Sequence, residues 1–140
     1  LYATLLLACV LAPTFAAEAT TLFVNAATGD DQAGANNCQS NTPPCKTITH
    51  ALTQAVANDS ISVGAGTYNV ALGETFPLVI AVNLTLTGAG APTTIIDAGG
   101  TARVITINSG TVTISAVTIT GGNLSSFCNC SVNGAGLSNF

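Results

Sequence analysis

Asn83-Leu84-Thr85-Leu86-Thr87 alternates residue by residue, and so do Thr111-Val112-Thr113-Ile114-Ser115 and Ala116-Val117-Thr118-Ile119-Thr120 further on. Leu, Val and Ile fall on one side of each run and Thr, Ser or Asn on the other, the pattern of a strand with one face buried. Ser60-Ile61-Ser62-Val63 repeats the pattern, and Arg103 to Asn108 follows it more loosely. Glycines such as Gly64, Gly66, Gly88, Gly90, Gly110 and Gly121 punctuate the runs where turns are needed. Ile61 to Leu84 is a step of 23 residues, Leu84 to Val112 one of 28, and Ile95 to Val117 one of 22. Short strands returning at such a period predict a solenoid, in which each turn of chain stacks on the last. A β-sandwich is the competing architecture. Two-residue Asn-Gly hairpins do not join neighbouring runs, however, and the lone Asn133-Gly134 lies in the tail. The expected fold is all-β, a right-handed parallel β-helix.

Upstream, Thr21-Leu22-Phe23-Val24-Asn25 reads as a strand, followed by a loop rich in Gly, Asn and Asp. Ile48, Ala51, Leu52, Ala55 and Val56 then recur at helical spacing, which predicts one short amphipathic helix over Thr47 to Ala57. Thr47 is the expected N-cap and Asn58-Asp59 the expected stop. The first residues differ again. Leu5 to Leu11 form an apolar run ended by Pro13, with small residues permitting cleavage after Ala16 or Ala19. This is the pattern of a secretory signal without its cationic start, and the run is too short to span a bilayer as a helix, which takes about 20 residues. Removing residues 1–19 leaves Cys38, Cys45, Cys128 and Cys130. Cys38 and Cys45 bracket a turn-rich loop and are the expected disulfide. A zinc site from all four is the rival reading, but the pairs lack the two-residue spacing of zinc knuckles and lie far apart in sequence.

Among the 140 residues, 48% are hydrophobic and 6% charged, the net charge is −4, and Lys46 and Arg103 are the only Lys and Arg. Two such cations cannot neutralise a run of phosphates, so nucleic acid is excluded as a partner. An anionic membrane surface is disfavoured for the same reason.

Phe23-Val24-Asn25, Gly29-Asp30-Asp31, Cys45-Lys46-Thr47-Ile48 and Ile61-Ser62-Val63-Gly64-Ala65-Gly66-Thr67-Tyr68 occur in that order. Phe76-Pro77-Leu78-Val79-Ile80, Thr94-Ile95-Ile96-Asp97 and Thr118-Ile119-Thr120-Gly121-Gly122-Asn123 follow them. This order resembles the N-terminal capping segment and first rungs of pectin-lyase-like right-handed β-helix proteins of bacterial surfaces, over roughly Thr21 to Phe140. With the export signal read at 1–19, the resemblance implies a cap at 20–59 holding the strand, the disulfide loop and the helix. It implies the first rungs of a coil at 60–140, with more coil expected beyond Phe140. It also implies a helix that covers the open end of the coil and its edge strands.

That family includes polysaccharide lyases and hydrolases, so acids and bases matter. Lyases of this fold generally need a calcium-binding acidic cluster with an Arg or Lys base, and hydrolases need paired carboxylates. Asp30, Asp31, Asp59, Glu74 and Asp97 are the acids beyond residue 19. Only Asp30 and Asp31 are adjacent, which makes them the calcium candidate, set against a solvated turn. Arg103 is expected as an exposed strand-end cation, and His50 as a solvated residue opposite the helix's apolar face. No catalytic residue and no cofactor is expected. The sequence therefore predicts a secreted or cell-surface scaffold, structural, adhesive or glycan-contacting, whose partner is an extracellular polysaccharide or a host or cell-surface ligand. The alternative is the N-terminal part of a carbohydrate-active enzyme whose active site lies in later rungs. A third reading is ice binding through the Thr-x-Thr rows at Thr85-Thr87, Thr111-Thr113 and Thr118-Thr120.

Overall fold

A computed structural model describes residues 18–32, 36–124 and the backbone of 136–139. Nearly all of the expected signal segment, together with Cys128 and Cys130, lies outside the described residues. The elements run β1 (Thr21–Val24), α1 (Ile48–Gln54), β2 (Asp59–Val63), β3 (Gly66–Asn69), β4 (Leu78–Ile80) and β5 (Leu84–Gly88). They continue with β6 (Thr94–Asp97), β7 (Ile105–Ile107), β8 (Val112–Ser115), β9 (Thr118–Thr120) and β10 (Leu137–Asn139). The strands form three sheets, ordered β1-β2-β5-β8, β3-β6-β9 and β4-β7-β10, and every pairing is parallel. Parallel neighbours cannot be joined by a hairpin, so the chain must travel before it pairs again. Here it travels through the other two sheets: from β2 onward it enters the first, second and third sheet in turn, three times over.

Alternation then places the core. Leu22, Ile61, Leu86 and Ile114 occupy matching positions on the four strands of the first sheet. Tyr68, Ile96 and Ile119 do so on the second, and Leu78 with Ile105 on the third. Leu22, Ile61, Leu86, Tyr68, Ile96, Leu78 and Ile105 are all buried, whereas Ile114 and Ile119 are partly buried at the β8–β9 side. The observed register refines the sequence spacing. Ile61 pairs with Leu86 rather than Leu84, and Ile95 with Thr118 rather than Val117. Between the third and first sheets the backbone passes close to itself. Gly110 has φ +90°, and a Cβ there would lie 2.7 Å from the carbonyl carbon of Val82.

Thr47 caps α1, its hydroxyl accepting from the His50 N–H, as the sequence predicts. The helix is shorter than the predicted Thr47 to Ala57. Ala55 still donates to the Ala51 carbonyl, but it has extended dihedrals, and the Val56 N–H goes to Asp59 Oδ2 at 2.9 Å. Asp59 therefore draws the chain out of the helix before its last expected turn. Val56, assigned by its spacing to the apolar face, is consequently 44% exposed.

Truncating Leu86 to Ala should lower unfolding free energy by about 2–5 kcal/mol, because a cavity opens in the middle of a column. Thr87→Ala on the outward face of the same strand should stay within about 0.5 kcal/mol. Urea unfolding of the two variants measures both.

Candidate functional site

The densest polar arrangement surrounds the start of α1. Asp31 Oδ1 accepts the N–H of Lys46 at 2.6 Å and of Thr47 at 3.2 Å, and its Oδ2 accepts the Thr47 hydroxyl at 2.7 Å. Glu74 arrives from the link between β3 and β4. Its Oε1 accepts the Ile48 N–H at 2.6 Å, and its Oε2 accepts both the Thr49 N–H at 2.8 Å and the Thr49 hydroxyl. Two carboxylates thus take up successive amides at a helix start, where backbone donors lack intrahelical partners. Glu74 is buried. Burial raises its carboxyl above the ordinary range, the donated bonds pull it down, and the charge of Asp31 adds to the rise. Tyr68 is buried nearby, its hydroxyl donating to the Gly64 carbonyl and accepting from the Ala26 N–H. Burial pushes this phenol up to about 12.

The other acids behave alike. Asp59 sits at the head of an inward column above Leu84 and Val112, yet it is buried. Its carboxylate accepts the N–H and hydroxyl of Thr20 as well as the N–H of Val56. Asp30 Oδ1 accepts the Gln32 N–H, and Asp97 Oδ1 accepts the Gly99 N–H. For the calcium candidate this means that Asp30 and Asp31 serve different stretches of backbone.

Cys38 and Cys45 are disulfide-bonded, as predicted from the loop between them. Closing so short a loop stabilises the cap by about 2.5 kcal/mol in the chain-entropy model. His50 does not stand free in solvent as the sequence predicts. It is half-buried, with Nε2 2.8 Å from the Asn36 carbonyl oxygen, because the cap loop folds back over this side of α1. Arg103 is likewise half-buried rather than exposed. It lines a cleft of about 340 Å³ with Phe76, Pro77, Ala102, Thr106 and Leu124.

The Thr-x-Thr segments separate onto two faces. Thr85 and Thr87 pair with Thr113 and Ser115 on the first sheet, whereas Thr118 and Thr120 lie on the second, beside Ile95 and Asp97. On the outward face of the first sheet, Thr21, Ser60, Thr85 and Thr113 make one ladder, and Phe23, Ser62, Thr87 and Ser115 make another. Asn58 and Asn83 stack beside these ladders, Asn83 Nδ2 lying 3.4 Å from Asn58 Oδ1. Sequence reasoning missed the Glu74 and Asp59 sites. The rarity of charge in this chain was a general hint, and no local spacing marked the donors of Glu74.

A family model described as a protein of unknown function (DUF1565) matches residues 27–137. No curated protein and no solved structure matches the chain.

Glu74 makes stability depend on pH. Its folded pKa lies above the unfolded value, so the native state holds more protons in that window and stability falls as pH rises through it. Replacing Glu74 with Gln should remove that fall from a plot of unfolding free energy against pH. A variant retaining the wild-type slope would assign the effect to another group.

Proposed function

We propose that this chain, which belongs to the DUF1565 family, is part of a right-handed parallel β-helix of the pectin-lyase-like kind. In this reading it is exported and acts at the cell surface or outside the cell as a non-catalytic scaffold that contacts glycans. The cyclic order of the strands supports the coil. The apolar run near the N-terminus and the Cys38–Cys45 disulfide support export, since disulfides persist in oxidising compartments. No helix among the described residues is long and apolar enough to cross a membrane.

One observation carries the non-catalytic reading. Asp30, Asp31, Asp59, Glu74 and Asp97 each accept at least one backbone N–H. A general acid or base needs a carboxyl that can reach substrate; Asp59 and Glu74 are buried, and Asp31 gives both of its oxygens to the helix start. The contact surface in this reading is the outward face of the first sheet, with hydroxyls on neighbouring strands about 4.8 Å apart. Such a face can donate to and accept from sugar hydroxyls, and its ladders carry no charge to repel or attract an ionic polymer.

The test is retention of the purified protein on insoluble neutral and acidic polysaccharides, with reducing ends assayed in parallel. Retention without new reducing ends is expected. Thr85→Glu with Thr87→Glu should weaken retention by about tenfold or more, roughly 1.4 kcal/mol. New reducing ends, lost again on replacing these acids, would overturn the scaffold reading. Unchanged retention in the double variant would move the contact surface off the first sheet.

A further inference from the structure

Cys38, Cys45 and His50 bring two sulfur atoms and an imidazole nitrogen within 4.8 Å of one another. The sulfurs are bonded to each other, but the backbone holds their carriers together independently of that bond. Phe23 donates its N–H to the Cys38 carbonyl at 2.7 Å and accepts from the Cys45 N–H at 2.9 Å, and Asn25 donates to the Cys45 carbonyl at 2.8 Å. Phe23 of β1 therefore holds both cysteine backbones, and Asn25, just beyond the strand, adds a second bond to Cys45. His50 is placed separately, by a helix that Thr47, Asp31 and Glu74 anchor.

We propose that, with the disulfide reduced, Cys38, Cys45 and His50 form a Cys2His site for a divalent metal ion, zinc being the ion that fits. Metal and disulfide are then alternative states of one pocket. Two thiolates with an imidazole select a borderline-soft ion over calcium or magnesium. Zinc–sulfur bonds of about 2.3 Å and zinc–nitrogen bonds of about 2.0–2.1 Å place tetrahedral ligands roughly 3.5–3.8 Å apart, a separation these groups can reach by small side-chain shifts.

A carbonyl oxygen only accepts, so in the tautomer that makes the 2.8 Å contact with Asn36 the proton is on Nε2, and Nδ1 is the nitrogen with a lone pair to offer an ion. A metal-bound imidazole commonly makes just such an outer contact. The Asn36 oxygen also lies 3.8 Å from Cys45 Sγ, so one carbonyl borders both kinds of ligand. Both cysteines are fully buried and His50 is half-buried, and with three protein ligands a four-coordinate ion would take water as its fourth.

The bonds balance as follows. A phosphine gives two electrons to the S–S bond and becomes the phosphine oxide with the oxygen of one water, whose two protons complete the thiols. The ion then displaces both thiol protons and forms two S–metal bonds, while neutral His50 contributes a lone pair and releases nothing. Oxidation of the thiolates by a disulfide oxidant re-forms the S–S bond and expels the ion.

The experiment uses the full chain with Cys9, Cys128 and Cys130 replaced by Ser, so that no other thiol competes. After anaerobic reduction with a phosphine, Zn2+ is titrated by equilibrium dialysis and Co2+ by absorption, with circular dichroism following the fold. One ion per reduced chain is expected, with thiolate-to-cobalt charge-transfer and tetrahedral ligand-field bands, and release of the ion on reoxidation. His50→Ala should weaken binding at least by the roughly 10–100-fold that outer-contact changes cost, and His50→Cys should restore it. Failure of the reduced chain to bind, whether folded or not, would overturn the proposal. So would an affinity that His50→Ala leaves unchanged.

Discussion

Ile61 and Leu86 meet side by side on parallel strands, and the rest of the molecule depends on that registration. Side chains alternate with a period of two, so a slip of one residue would turn each strand's aliphatic set outward. Registration in one sheet also constrains the others, because the same chain supplies all three in succession. Tyr68 can stack on Ile96, and Leu78 on Ile105, only if the intervening corners deliver each strand at the correct height. Close backbone passages such as that at Gly110 follow from this demand.

Stacked strands create a problem at their ends, and the few acids resolve it at one of them. Asp59 heads an inward column where an aliphatic residue would otherwise stand, and it spends its carboxylate on Thr20 and Val56. Asp31 and Glu74 do the same for the first amides of α1. A buried carboxylate without donors would cost several kcal/mol. With two or three donors each, these groups tie the cap loop, the helix and the first complete pass through the sheets into one unit. The low charge of the chain and the burial of Asp59 and Glu74 are thus parts of one design, in which charge serves backbone amides.

Much of this was legible in the sequence, and the rest was hidden for identifiable reasons. Alternation exposed the strands around Leu84–Leu86 and Val112–Ile114, and Thr47 marked the helix start. The three-residue strands β4 and β7 were faint, because Leu78-Val79-Ile80 has no polar residue to alternate and Ile105-Thr106-Ile107 is too short to establish a period. Steps between paired residues were readable only to within two positions, since the corners differ in length. The helix end was misjudged because Asp59, beyond the helix, decides where it stops. Glu74 was invisible as a site because its donors, Ile48 and Thr49, lie far away in sequence, and local spacing carries no trace of them. His50 and Arg103 were assigned to solvent by their polarity, whereas the cap loop and the neighbours of Phe76 partly cover them.

The corners themselves are unequal. The first sheet hands over to the second through residues 64–65, 89–93 and 116–117, whereas the second hands over to the third through the longer 70–77 and 98–104. Connecting chain is therefore concentrated along one edge of the molecule. An insertion there lengthens a surface loop without disturbing the pairing before or after it. One edge is thus free to diverge among related chains while the stacked columns stay fixed, and new recognition surfaces can arise there at little cost to the fold.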